Sequence, residues 1–73
     1  MEMASLHNNL QDNQVIGYAY NSLTYQTAFA DAVRQITQKY QGKAHAKVVD
    51  SGFVGVSSST GVAYTYVIME NAS

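Results

Sequence analysis

The stretch Thr24-Tyr25-Gln26-Thr27-Ala28-Phe29-Ala30-Asp31-Ala32-Val33-Arg34-Gln35-Ile36-Thr37-Gln38-Lys39-Tyr40 decides the fold, because apolar residues recur in it at steps of three and four. Tyr25, Ala28, Phe29, Ala32, Val33, Ile36 and Tyr40 fall on one stripe of a helix, while Gln26, Arg34, Gln35, Gln38 and Gln41 fall mainly elsewhere. Thr24 offers a hydroxyl to cap the N-terminus, and Gly42 suits the left-handed conformation that ends a helix. Asp31 and Arg34 stand three apart on the outer face, a pairing worth about 0.2–0.5 kcal/mol.

On either side of this helix the period drops to two. Val15-Ile16-Gly17-Tyr18-Ala19-Tyr20 is a short β-branched and aromatic run that ends at the turn signal Asn21-Ser22. After Lys43, Ala44, Ala46 and Val48 point one way and His45, Lys47 and Val49 the other, with Asp50 facing away from His45. Gly52 and Gly55 suggest a bulge or bend inside this long strand. Ser57-Ser58-Ser59-Thr60-Gly61 reads as a hairpin loop, and Val62 to Met69 as the last strand. The order is β-α-β-β, an α+β domain with a three-stranded antiparallel sheet packed on one helix. Residues 14–70 form that single domain, with a flexible polar N-terminal arm over 1–13 and a short tail over 71–73.

Strand parity assigns the two faces of the sheet. Ala46, Val48, Ala63, Thr65, Val67 and Met69 suit contact with the helix, and Tyr25 and Tyr40 are core residues of its stripe. The opposite face carries His45, Val49, Tyr64, Tyr66 and Ile68, and no element remains to cover it. That face is the expected interaction surface. Tyr18, Tyr20, Tyr64 and Tyr66 lie on strands, where cross-strand aromatic pairing accounts for them.

Composition points the same way. A chain of 73 residues is one small domain, and the usual staples at this size are disulfides, a structural metal or self-association. Cysteine is absent, and His7 and His45 match no metal motif. Four basic and five acidic residues make 12% charged and a net charge of −1, too sparse for a nucleic-acid footprint. Yet 47% of residues are hydrophobic, a poor surface for a free monomer, so a homo-oligomer is expected. No apolar run reaches the roughly 18 residues a membrane span needs. The N-terminus lacks the basic start and apolar run of a signal peptide, so a cytoplasmic location is expected.

No nucleophile elbow, phosphate-cradling glycine loop or metal-binding helix motif occurs, so no catalytic residue is assigned and the chain reads as a non-enzyme. Ser51, Asp50 and His45 contain the ingredients of a triad, but in an extended strand they are too far apart to touch. His45 is either a surface or interface residue or a flat ring for stacking on a planar ligand.

Two runs, Thr24-Tyr25-Gln26-Thr27-Ala28-Phe29-Ala30-Asp31-Ala32-Val33 and His45-Ala46-Lys47-Val48-Val49-Asp50-Ser51-Gly52, resemble dodecins, small β-α-β-β flavin-binding proteins that assemble as hollow dodecamers. The resemblance spans residues 24–52 without a gap and reaches the last strand only by alternation. It implies a homo-oligomeric shell that holds flavin, either FMN or riboflavin. The position of the family's flavin-stacking Trp is matched by His45, and that of its hydrogen-bonding Gln by Tyr64. The Gly-Thr-Ser turn usual after the first strand is replaced by Tyr20-Asn21-Ser22, and the polar arm is extra.

The cofactor-binding candidates are therefore His45 and Tyr64, with Tyr66 and Lys47 behind them. The leading expectation is a binding or storage protein that sequesters flavin or another planar ligand. The alternative is a small protein-interaction module, such as a phage or mobile-element inhibitor of a host protein, using its open sheet face. A structural oligomer without ligand is the third.

Overall fold

The structure is a computed structural model that describes residues 10–21, 23–55 and 62–72. Most of the expected arm (residues 1–9) and the expected hairpin loop over 57–61 lie outside the described residues. The elements run β1 (Gln14–Tyr20), α1 (Tyr25–Lys39), β2 (Ala46–Gly55) and β3 (Val62–Asn71). They form one antiparallel sheet in the order β1-β3-β2, with β3 in the centre. This is the β-α-β-β, α+β arrangement expected from the periodicity.

The registers place Val15 opposite Met69, Gly17 opposite Val67 and Ala19 opposite Thr65, all on the side that meets the helix. Val48, Ser51 and Phe53 continue that side onto β2, opposite Met69, Val67 and Thr65. The core joins Val15, Ala19, Val67 and Met69 of the sheet to Ala28, Ala32 and Ile36 of α1. Small residues make a close approach possible. A Cβ on Gly17 would lie 2.3 Å from the Ala28 carbonyl oxygen and 2.4 Å from the Ala32 nitrogen. The helix backbone thus sits directly on β1.

That approach puts helix side chains on the outer edge of β1. The Tyr18 amide donates to Asp31 Oδ2 at 3.0 Å, and Gln35 Nε2 donates to the Ile16 carbonyl at 2.8 Å. Gln35 Nε2 also donates to Asp31 Oδ2, and Arg34 donates to Asp31 Oδ1 at 2.6 Å. An edge strand's exposed backbone groups invite pairing with another chain. Here two of them are answered from α1.

The helix starts without a side-chain cap bond from Thr24 and ends in a Schellman motif. The Gly42 amide donates to the Thr37 carbonyl at 2.7 Å and the Gln41 amide to the Gln38 carbonyl at 3.2 Å. Gln41 and Gly42 both have positive φ, 60° and 86°. The sequence pointed to Gly42 as the left-handed stop; the first left-handed residue is Gln41.

Two expectations about packing are corrected. The apolar stripe of α1 divides into two rows about 100° apart. Ala28, Ala32 and Ile36 are buried, whereas Tyr25, Phe29 and Val33 are more than a third exposed, so Tyr25 is not core. In the second strand, the irregularity expected at Gly55 is present, between Val54 and Gly55, but the other falls at Val49, where the pairing steps from Val48 to Asp50, and not at Gly52. Gly52 serves instead as a seat for Tyr66, whose hydroxyl oxygen would lie 2.8 Å from a Cβ placed there.

The ends of the domain are tied to the sheet. The Asn71 amide donates to the Asn13 carbonyl at 2.9 Å, and Lys39 Nζ donates to the Asp12 carbonyl. β3 therefore continues through Asn71, the first residue of the expected tail.

Candidate functional site

The sheet face turned away from α1 carries a tyrosine ladder. Tyr18 pairs with Tyr66 and Tyr20 with Tyr64 across β1 and β3. Rings two residues apart on one strand face share a side of the sheet, so all four meet. Tyr18 stacks on Tyr20 with centroids 5.3 Å apart and meets Tyr64 edge-on at 5.2 Å. Tyr64 also lies 6.3 Å from Tyr66. The Tyr18 phenol is pushed up to about 12 by burial, with the neighbouring Tyr20 and Tyr64 hydroxyls adding to it.

This face is not bare, as strand parity suggested. Tyr64 is only 3% exposed, and Ile16 and Ile68 are also buried. The rings pack on one another, and Ile16 and Ile68 continue the face next to Tyr18 and Tyr66. Tyr20 is the ring left open, at 60%. Of the two inner candidates, Tyr66 is half-buried, while Tyr64 is enclosed.

His45 stands one residue ahead of β2 and is exposed. Its amide donates to Asn71 Oδ1 at 3.4 Å, and its carbonyl accepts from the Ala72 amide, which puts it opposite Ala72 on the ladder. Tyr64, by contrast, pairs with Val54 at the other end of β2. Eight residues of β3 separate the two positions, about 26 Å at a strand's rise per residue. One chain does not bring His45 and Tyr64 together. Lys47 is exposed beside His45, opposite Glu70, whose carboxylate accepts from Gln14 Nε2 at 2.9 Å.

The bulge at Val49 also changes the triad geometry. It returns Asp50 to the face of His45 and Lys47, where the sequence had Asp50 facing away. Asp50 pairs with Ile68 and His45 stands opposite Ala72, about 13 Å apart along β3. Asp50 instead accepts the Ser51 amide at 2.9 Å. No triad contact forms among these three residues.

A second feature was not singled out from the sequence. Between α1 and β2 lies an apolar groove of about 190 Å³, lined by Phe29, Val33 and Ile36 on one side and Ala46, Val48 and Met69 on the other. Beyond its end Phe53 stands on the same side of β2, 61% exposed. The width of the apolar stripe on α1 was its signal: seven residues are more than one row of core contacts requires.

Among the described residues no group of three or more His, Asp or Glu is placed to hold a metal ion, and no helix is long and apolar enough to cross a membrane. No protein-family model, curated protein or solved structure matches the chain, so its candidate site is defined by its own geometry: an aromatic ladder with Tyr20 exposed at one end of the sheet, His45 and Lys47 at the other, and an apolar groove along β2.

Proposed function

We propose that the chain is a non-enzymatic, self-assembling binding protein whose copies hold a planar ligand between them, with flavin, as FMN or riboflavin, the leading candidate. The observation that carries this reading is the exposure of large apolar and aromatic side chains, Tyr20, Phe29, Val33 and Phe53 among them, on so small a domain. Such patches on a soluble chain are covered by a partner. The dodecin-like runs over residues 24–52 supply the ligand class. The distance between His45 and Tyr64 within one chain fits a site shared between copies. In it His45 and Lys47 come from one copy and the Tyr20–Tyr66 end of the ladder from another.

Imidazole has less π-surface than indole, so stacking on His45 is weaker than on a Trp, and the open Tyr20 ring with the half-buried Tyr66 beside it in the ladder makes up contact area. The test is native mass spectrometry of the protein as purified, followed by titration of FMN and riboflavin with fluorescence detection. The expected result is a multimer that quenches flavin fluorescence at micromolar protein, with quenching reduced in His45→Ala. Absence of quenching removes the flavin assignment. A stable monomer without ligand removes self-assembly and favours a module that docks on another protein.

A further inference from the structure

β2 is the outer strand of the sheet on the side that α1 does not seal. It is ten residues long, about 33 Å, with no proline and only Lys47 and Asp50 charged. Its two faces have a mirror pattern about the bulge. Reading outward from Val49–Asp50, Val48 and Ser51 face α1, Lys47 and Gly52 face away, Ala46 and Phe53 face α1, and His45 and Val54 face away. Antiparallel pairing requires residues directly opposite each other to share a face. A strand with this symmetry satisfies that rule against itself.

We infer that β2 pairs antiparallel with β2 of a second copy, about a two-fold axis through the Val49–Asp50 bulge, joining two three-stranded sheets into one of six strands. This rests on the self-assembly part of the reading above and assigns it a surface. The groove and the ring fit one another in this register. Phe53 of each copy falls beside Ala46 of the other, at the mouth of the groove lined by Phe29, Val33 and Val48. A large exposed ring thus meets a small residue next to an apolar hollow, twice, as an isologous interface requires.

Charge is complementary as well. Lys47 falls opposite Gly52 of the second copy and diagonal to its Asp50. The two acids near the axis are therefore each answered by a lysine from the other copy. A stable dimer buries about 800 Å² per partner. The β2 edge with Phe29, Val33 and Phe53 beside it offers a continuous apolar strip toward that area. On the far face, the pairing places His45 of one copy two strand spacings, about 10 Å, from Tyr64 of the other. Residues about 26 Å apart in one chain become neighbours across the axis.

The chain has no cysteine, so an introduced one reports contact without interference. Val49→Cys lies at the axis and is expected to form a disulfide-linked dimer under mild oxidation, because a disulfide needs Cα atoms within about 7 Å. Gln26→Cys, exposed on the outer side of α1, is expected not to do so. Phe53→Asp is expected to lower the native mass at least twofold with an unchanged circular dichroism spectrum, since an exposed side chain is not needed for the fold. A multimer that keeps its mass in Phe53→Asp and gives no Val49→Cys cross-link overturns the β2 pairing and leaves self-assembly standing. A monomeric wild-type protein overturns both.

Discussion

Gly17 is the residue whose side chain the structure can least accept. Its missing Cβ lets α1 sit on β1, and what a methyl group would meet there is helix backbone rather than a side chain that can turn aside. Overpacking of a rigid contact costs about 1–3 kcal/mol and more when backbone must move. Gly17→Ala is therefore expected to destabilise the domain by at least about 3 kcal/mol, measured by urea unfolding. Gly52→Ala is the milder comparison, since it meets only the end of the Tyr66 side chain. In the sequence Gly17 was one residue of a β-branched run. Its role depends on Ala28 and Ala32, which no local pattern connects to it.

At the scale of elements, the helix and three strands were legible because each carries its own period, 3.6 or 2 residues. What α1 does with its apolar residues was not. The row through Ala28 faces the sheet and the row through Phe29 faces the groove, and choosing between them requires knowing that Gly17 and Ala19 draw the helix toward β1. The bulge at Val49 was equally hidden, since Lys-Val-Val-Asp-Ser alternates no worse with or without a step; its consequence was to reverse the facing of Asp50. The end of α1 yields a prediction of its own. Gln41 holds a left-handed backbone at a position glycine takes without steric cost. Gln41→Gly is expected to raise stability by about 1 kcal/mol, seen as a higher urea midpoint with an unchanged m-value.

The whole molecule carries its pH limits in the packing of α1 on β1 and in the tyrosine ladder. Burial alone would push the Asp31 carboxyl up, but the Tyr18 amide, Arg34 and Gln35 together hold it below its ordinary value. Its native carboxyl thus gives up its proton more readily than the unfolded one. The stabilisation is present above the usual carboxylate range and is lost as pH falls through the native value. Tyr18 acts at the other end. Its phenol is raised from 10.0 to about 12, so the folded state keeps the proton longer, and that contribution is present below pH 10 and lost as pH climbs to about 12. Urea midpoints measured across pH are expected to fall at both extremes, with Asp31→Asn flattening the acid limb and Tyr18→Phe the alkaline limb.

The Asp31 and Gln35 side chains on the β1 edge have a consequence for how large the sheet can grow. A sheet with two open edges can add strands without end, and such growth is the route to fibres. Here part of one border, the Tyr18 amide and the Ile16 carbonyl, is occupied by the chain's own helix, which leaves β2 the more open border for the inferred pairing. The inferred six-stranded sheet would carry these partly occupied β1 strands at both borders. Further addition along the hydrogen-bonding direction is then hindered at both ends, and growth beyond the inferred pair needs other surfaces.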